Sequence, residues 1–126
     1  MKLVIGGYAQ GKLDYVKENY DMQDSVILDG KIEMTHVSCK KMIVNHLHSW
    51  VRSSLEQGKC PEEEIEEFLG QNPDCILISD EVGNGIVPME PFEREYRERL
   101  GRILIRLAKR AESVERVICG IGQRIK

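Results

Sequence analysis

A short apolar strand that leads directly into a glycine-rich segment is the feature that most constrains this chain. Leu3-Val4-Ile5 precedes the segment Gly6-Gly7-Tyr8-Ala9-Gln10-Gly11-Lys12, and the following residues up to position 20 predict a helix. In the pattern G-x-x-x-x-G-K-[ST], glycines let backbone N–H groups turn toward a phosphate, and the lysine adds a positive charge. Gly6, Gly11 and Lys12 match this pattern. The segment therefore predicts a phosphate-binding loop at a helix N-terminus, where the helix dipole also favours anions.

Leu13 is the one position of this loop that departs from the pattern. A serine or threonine hydroxyl would normally hold Mg²⁺ there, and leucine has no oxygen to offer. Phosphate binding survives this change better than catalysis does, so residues 6–13 are the candidate nucleotide-binding segment and Lys12 is the candidate phosphate clamp. The alternative is a glycine-rich turn between strand and helix, which needs only the φ freedom of glycine.

Strand and helix patterns alternate along the rest of the chain and predict an α/β fold with a mostly parallel sheet flanked by helices. In such sheets, ligands bind at the carboxyl ends of the strands. The phosphate loop, Asp29 and the loop over residues 80–88 all belong to that edge. The predicted strands cover residues 25–30, 74–80 and 114–119, the last of these closing the fold, and the predicted helices cover residues 38–58, 61–69 and 91–111.

Length and charge limit the classes of function. With 126 residues the chain is expected to form one domain over residues 1–126, and 41% hydrophobic residues exclude a disordered chain. A net charge of -3, from 18 basic and 21 acidic side chains, gives no overall attraction for nucleic acid or an anionic membrane. No apolar run suggests a membrane helix and no leader pattern opens the chain, so we expect a cytoplasmic protein.

The cysteines show no C-x-x-C spacing, and we expect reduced thiols rather than disulfides. A metal site built from them and the histidines has little support from the spacing. The residues concerned are Cys39, Cys60, Cys75, Cys119, His36, His46 and His48.

Two further segments carry a resemblance to a known family. Ile78-Ser79-Asp80-Glu81-Val82-Gly83-Asn84-Gly85-Ile86-Val87-Pro88 resembles the "NEVGxGIVP" segment of the adenosylcobinamide kinase/adenosylcobinamide-phosphate guanylyltransferase family. The final residues, 119–126, and the first loop, which is similar to the family's GG-x-x-x-GK-S loop, fit the same family. Together these regions cover roughly half of the chain.

The resemblance implies a P-loop NTPase-like fold of the recombinase-type ATPase kind and two activities in cobalamin biosynthesis. One activity phosphorylates adenosylcobinamide with ATP or GTP, and the other transfers GMP from GTP to the product through a covalent guanylyl-histidine. Mg²⁺ as a cofactor, corrinoid substrates and a homo-oligomer are implied in the same way. Because phosphoryl transfer needs positioned donors and a metal, Lys12 and a carboxylate at a strand end are the expected participants.

The middle of the chain departs from the family pattern. Between the two loops, family members carry a strand, an H-R-x-x-R-P-x-x-W segment with the guanylylated histidine, and a strand ending in D-C-L-T, whereas this sequence predicts room for one such unit. If residues 26–30 match the second strand, Asp29 is the metal-associated carboxylate and the histidine segment is missing. If they match the first strand, His46 or His48, ahead of Trp50, is a remnant of the histidine site.

Each candidate site residue could instead have a purely structural role. Asp29 either ligates Mg²⁺ or caps the turn at Gly30, and Glu81 is either a general base or metal partner, or it orders the loop that follows it. His46 is the candidate nucleophile. His48 lies two residues away and cannot share its helical face, so at most one of the two should point toward a site. His36, in a predicted loop, has a slightly weaker claim than His46.

Three hypotheses follow from the sequence. The leading one is a short member of this family that acts as a nucleotide-dependent transferase. The second is a degenerate member that binds nucleotide or corrinoid as a regulator or partner subunit, which Leu13 and the short middle favour. The third is an unrelated α/β scaffold without nucleotide affinity.

Overall fold

The computed structural model describes residues 1–32, 40–82 and 88–126. Along the chain the described elements are β1 Lys2–Gly6, α1 Lys12–Asn19, β2 Ser25–Asp29, β3 Lys41–Asn45, α2 Leu47–Glu56, α3 Pro61–Gln71, β4 Ile76–Asp80, α4 Pro91–Arg110, β5 Ser113–Ile118 and β6 Ile121–Arg124. His36, Cys39 and most of the loop over residues 80–88 lie outside the described residues.

The described strands form one sheet in the order β2-β3-β4-β1-β5-β6, and all neighbouring pairs are parallel except β5 and β6. The mostly parallel α/β fold predicted from the sequence is therefore confirmed. The register pairs Gly6, the last residue of β1, with Asp80 on one side and Val117 on the other. Because the strands run the same way, the loops after β1, β2, β3 and β4 all leave the same edge of the sheet.

Alternating strand residues divide the core into two faces, as expected for side chains with a period of two. Leu3 and Leu77 belong to the larger cluster, which the helices α2, α3 and α4 cover. Val4 and Ile78 belong to the smaller cluster on the other face, which Val16 of α1 covers. The glycine-rich loop over residues 6–12 thus connects the centre of the sheet to the helix that covers its smaller face.

The helix predicted over residues 38–58 is wrong in its first part, because residues 41–45 form strand β3 and α2 begins only at Leu47. Met42, Ile43 and Val44 form a continuous buried run that pairs with strands on both sides. The helical spacing was ambiguous here, since a short apolar run satisfies both periodicities. Two strands, β2 and β3, therefore lie between the phosphate loop and β4, and the expectation of room for a single unit is wrong.

The sheet also does not close at β5, where the last strand was expected. The chain reverses at Cys119 and Gly120, which adopt φ values of 50° and 75°, and continues as β6 antiparallel to β5. Both values lie in the left-handed region, which suits a tight hairpin turn.

Within the described ranges, no helix is long and apolar enough to cross a membrane. Cys60, Cys75 and Cys119 are free thiols, as expected. Burial raises the pKa of the Cys75 thiol to about 12, so this cysteine is an inert part of the core.

Candidate functional site

The glycine-rich segment forms a tight loop between β1 and α1. A Cβ on Gly6 would lie 2.6 Å from the carbonyl oxygen of Val117, so the backbones of β1 and β5 approach too closely for a side chain. Gly11 precedes the helix with a φ of 80°, and Ala9 also has a positive φ of 53°. The side chain of Tyr8 is 86% exposed at the loop's tip. These conformations form a tight turn between strand and helix, which the phosphate-binding pattern and a plain glycine-rich turn both predict.

The turn between β5 and β6 holds this loop through one residue, Gln10. The backbone N–H of Cys119 donates to Gln10 Oε1 at 2.7 Å, and the N–H of Gly120 donates to the Gln10 carbonyl oxygen at 2.8 Å. Both the side chain and the main chain of Gln10 are therefore fixed by the hairpin.

Lys12 lies in the first turn of α1 with its side chain only 7% exposed. Its Nζ donates to the Gly7 carbonyl oxygen at 2.6 Å and forms an ion pair with Asp80 Oδ1 at 2.7 Å. A buried ammonium group requires such partners, since desolvation of an unpaired charge is costly. The pairing of Gly6 with Asp80 in the sheet register places the carboxylate beside the loop.

Asp80 also fixes His48, in the first turn of α2. The backbone N–H of Asp80 donates to His48 Nδ1 at 3.0 Å, and His48 Nε2 lies 3.4 Å from Asp80 Oδ2. Because Nδ1 accepts, the neutral imidazole carries its proton on Nε2 and directs it toward the carboxylate. Burial lowers the pKa of His48, and the charges of His46 and Lys12 act in the same direction, whereas Asp80 opposes them. His48 is thus a neutral, fixed side chain behind Asp80.

Helix α4 supports this arrangement through Tyr96, whose hydroxyl donates to the His48 carbonyl oxygen at 3.2 Å. Tyr96 is buried, and burial raises its pKa to about 12. The guanidinium of Arg52 lies 5.2 Å from the centre of the Tyr96 ring and pairs with Glu93. The start of α2 is consequently anchored to α4.

A second group of polar side chains lies at the ends of β2 and β3. His46 Nδ1 lies 2.5 Å from Asp29 Oδ1, and Asn45 Nδ2 donates to the same carboxylate oxygen at 3.2 Å. The register pairs Asp29 with Asn45, which brings the three residues together. The sequence predicted Asp29 at this edge, but it placed His46 within a helix and did not predict their contact.

His46 and His48 both reach this edge of the sheet, with ring centroids 5.6 Å apart in an edge-on arrangement. The expectation that only one of them could do so assumed that both lie in one helix. His46 instead precedes α2 and has a φ of 55°, so the helical spacing does not apply to it.

Glu81 and Leu13 make contacts of other kinds. Glu81 Oε2 accepts a hydrogen bond from Arg116 Nε at 3.1 Å, which ties the end of β4 to β5. Leu13 packs against the smaller apolar cluster. The roles predicted for Glu81 as a base or metal partner stay predictions.

The loop and the strand ends line one open cleft of about 390 Å³. Three of its residues, Asp14, Asn45 and Asp80, were not selected from the sequence. The alignment of parallel strand ends would have pointed to Asp80, whereas Asn45 fell within a predicted helix. Among the described residues, no three His, Cys, Asp or Glu side chains are grouped to hold a metal ion. The lining residues are Tyr8, Ala9, Gln10, Gly11, Lys12, Leu13, Asp14, Asn45, His46 and Asp80.

Comparison with known families agrees with this architecture. A family model described as "Cobinamide kinase / cobinamide phosphate guanyltransferase" matches residues 14–125. The chain belongs to this family. The matched range begins directly after the glycine-rich loop, which this comparison therefore does not cover.

Two curated relatives are similar to the chain. The "Bifunctional adenosylcobalamin biosynthesis protein CobU" of Salmonella typhimurium strain LT2 is 34% identical over 86 residues, which cover 65% of this chain and 46% of that protein. The protein of the same name from Escherichia coli strain K12 is 35% identical over 81 residues, covering 61% of this chain and 44% of the relative. The matched segments thus span less than half the length of either relative.

Proposed function

We propose that this protein is a nucleotide-dependent transferase of cobalamin biosynthesis that binds the phosphates of GTP or ATP in residues 6–13. The observation that carries the proposal is the position of Lys12, a buried ammonium group inside a glycine-rich loop at a helix N-terminus. Loop N–H groups and the helix dipole would add favourable interactions with an anion. Family membership supports adenosylcobinamide, or its phosphate, as the acceptor.

Asp80 is the residue best suited to associate with Mg²⁺. Mg²⁺ in nucleotide sites commonly uses one or two carboxylates together with phosphate oxygens and water, and Asp80 is a partly buried carboxylate that lines the same cleft as the loop. The ion would neutralise charge on the transferring group. The hydroxyl missing at Leu13 leaves the protein with fewer oxygen ligands than the usual phosphate-loop pattern provides.

The family pattern supports this assignment. Asn45-His46-Leu47-His48 follows β3, the second strand after the phosphate loop, and so takes the place of D-C-L-T. Asp80 takes the place of the asparagine in the N-E-V-G segment. In this chain the carboxylate therefore belongs to β4 and the amide to β3.

Each of these side chains would have its own role toward a bound nucleotide. Lys12 would exchange its bond with the Gly7 carbonyl for a phosphate oxygen, and the loop would hold the remaining oxygens. His48, kept neutral by burial, would hold Asp80 in place without adding a positive charge. For the guanylyl transfer, His46 is the proposed nucleophile, because it lines the cleft and is half exposed. Its position departs from the family pattern, in which the histidine segment lies between the two strands, an interval that in this chain contains His36.

A second candidate function is a family member that binds nucleotide or corrinoid without turning it over. Leu13, which offers no oxygen ligand where the pattern has a hydroxyl, favours it. A non-catalytic member that binds nucleotide requires the same phosphate site and differs from the transferase only in forming no product.

A transferase assay separates the two candidates. Purified protein would be incubated with adenosylcobinamide, or with its phosphate, together with GTP or ATP and Mg²⁺, and the products would be measured by mass spectrometry. The transferase proposal expects a mass gain of one phosphate or one GMP, abolished in Lys12→Ala and retained in Lys17→Ala, an exposed lysine of the same helix. Nucleotide binding without any such product would identify the non-catalytic member.

We further propose a homo-oligomer, which the family resemblance implies. Ile118, Ile121 and Ile125 expose 47%, 72% and 58% of their surface, and β6 is the last strand of the described sheet. Exposed apolar residues on an edge strand favour association with another chain. Light scattering after size exclusion would show a mass above 14.4 kDa, reduced by Ile121→Lys, whereas a monomeric wild-type protein would contradict the proposal.

A further inference from the structure

The ammonium group of Lys12 is already paired with groups of the protein itself. Its Nζ donates to the Gly7 carbonyl oxygen at 2.6 Å and lies 2.7 Å from Asp80 Oδ1, and the side chains of Lys12 and Asp80 are only 7% and 14% exposed. Two of the three donors of the ammonium group are therefore used, and its charge is balanced by a carboxylate. A phosphate that pairs with Lys12 competes with Asp80 for that charge.

The backbone around Asp80 holds its carboxylate beside the loop. The sheet register pairs Asp80 with Gly6, and the next residue, Glu81, donates its N–H to the Gly6 carbonyl oxygen at 2.7 Å. The N–H of Asp80 donates to His48 Nδ1 at 3.0 Å, and Asp80 Oδ2 lies 3.4 Å from His48 Nε2. Because these contacts fix its position, the carboxylate stays next to the loop when an anion enters the cleft.

The negative charge of Asp80 opposes the ligand that the loop is proposed to bind. Asp80 and Lys12 line the same cleft, so a phosphate there would lie close to the carboxylate. Salt screens partly buried charges only weakly, and two anions in such a site repel each other. A divalent cation removes this repulsion because it bonds to carboxylate and phosphate oxygens together. The same ion would compensate the charge of Asp80 and so release Lys12.

The ion pair between Lys12 and Asp80 departs from the family pattern, in which an asparagine of the N-E-V-G segment takes the place of Asp80. An amide oxygen can accept a hydrogen bond from a lysine, but it neither balances the charge of the ammonium group nor repels a phosphate. The aspartate therefore changes which ionic form of a ligand the loop accepts.

We infer that Asp80 makes the loop selective for nucleotide that carries a divalent cation. This inference rests on the proposed nucleotide site and adds to it the form of the substrate. Without the cation, Lys12 stays paired with the carboxylate and metal-free nucleotide binds weakly. With the cation, the carboxylate exchanges Lys12 for the ion, and Lys12 exchanges the carboxylate for a phosphate oxygen. Asp80 is thus a specificity-determining residue.

The test is calorimetric titration of the full chain with GTP, once in EDTA and once in excess Mg²⁺. For the wild-type protein we expect an affinity about 10- to 100-fold higher with Mg²⁺, a range typical of two ligands that favour each other's binding. Asp80→Asn should bind GTP in EDTA about tenfold more tightly than the wild-type protein, because the repulsion is removed and Lys12 has lost its counterion. The gain from Mg²⁺ should shrink in this variant.

Asp14→Asn is the matched control. Asp14 is an exposed carboxylate that lines the same cleft, so its replacement removes the same charge and leaves the pair of Lys12 and Asp80 intact. It should change both affinities alike and keep the wild-type ratio between them. Circular dichroism would check that each variant folds, and Asp80→Ser, also neutral, takes the place of Asp80→Asn if that variant does not.

Two results would overturn the inference while the proposed nucleotide site stands. One is equal affinity of the wild-type protein for GTP with and without Mg²⁺. The other is a neutral variant at Asp80 that binds metal-free GTP no more tightly than the wild-type protein, which would leave Asp80 with the role of a metal ligand alone. Absence of GTP binding by the wild-type protein in both conditions would refute the nucleotide site and the inference together.

Discussion

Gly6 is the residue at which the phosphate loop leaves the sheet, and it has no room for a side chain. We predict that Gly6→Ala lowers the free energy of unfolding by about 2–3 kcal/mol, as expected for overpacking against a backbone atom that cannot move aside. Urea denaturation would measure the change. Gly101→Ala is the control, since a Cβ there has no neighbour within 4 Å and alanine favours the helix by up to about 1 kcal/mol. Equal stability of the two variants would contradict the close contact.

His48 gives a prediction of pH dependence. Its pKa in the folded protein is lowered from 6.5, so below that pH the unfolded chain takes up a proton that the folded chain does not. The contribution of neutral His48 to the free energy of unfolding is fully present above pH 6.5 and is lost as the pH falls through the lowered pKa. The free energy of unfolding then falls by up to about 1.4 kcal/mol per pH unit.

Urea titrations of wild-type and His48→Gln between pH 5 and 7.5 would measure this effect. The wild-type free energy of unfolding should decline more steeply toward acid than that of the variant. Parallel curves for the two proteins would show that the burial of His48 has no influence on its protonation.

Residues of this site that lie together in one sequence motif could be predicted from the sequence. Contacts between residues far apart in the sequence could not. The glycine-rich loop and Lys12 belong to one continuous pattern, and the structure places them between β1 and α1, as predicted. The contacts of Asp29 with His46 and of Asp80 with Lys12 join residues 17 and 68 positions apart. They depend on strand order and register, which no local pattern contains.

At the scale of elements, the β5–β6 hairpin is a support for the phosphate loop. Its two N–H groups bind Gln10, so Gln10→Ala removes the side-chain hydrogen bond and leaves the main-chain bond. A hydrogen bond of this kind contributes roughly 0.5–1.5 kcal/mol, and we predict nucleotide affinity weakened about two- to tenfold. Calorimetric titration with GTP would measure it, with Gln57→Ala, an exposed glutamine at the end of α2, as the control. Equal affinity in the two variants would argue against the support.

The elements of the chain also show where periodicity succeeds and fails. Helices α3 and α4 have long amphipathic patterns and a proline in the first turn, and their predicted starts are correct. Strand β3 was hidden because its three apolar residues are followed by a helix that continues a compatible spacing. Whether residues 41–45 form a helix or a strand is decided by their pairing with the neighbouring strands, which is a tertiary effect.

For the whole molecule, the central claim is that a nucleotide phosphate binds in the loop over residues 6–13 through Lys12. The most direct test is calorimetric titration of the purified protein with GTP and with ATP, each with and without Mg²⁺, in wild-type, Lys12→Ala and Lys17→Ala. We predict binding by the wild-type protein, a loss of about 10- to 100-fold in Lys12→Ala because charge-assisted hydrogen bonds are removed, and no change in Lys17→Ala. Equal affinity of Lys12→Ala and wild-type protein, or absence of binding in every condition, would contradict the account.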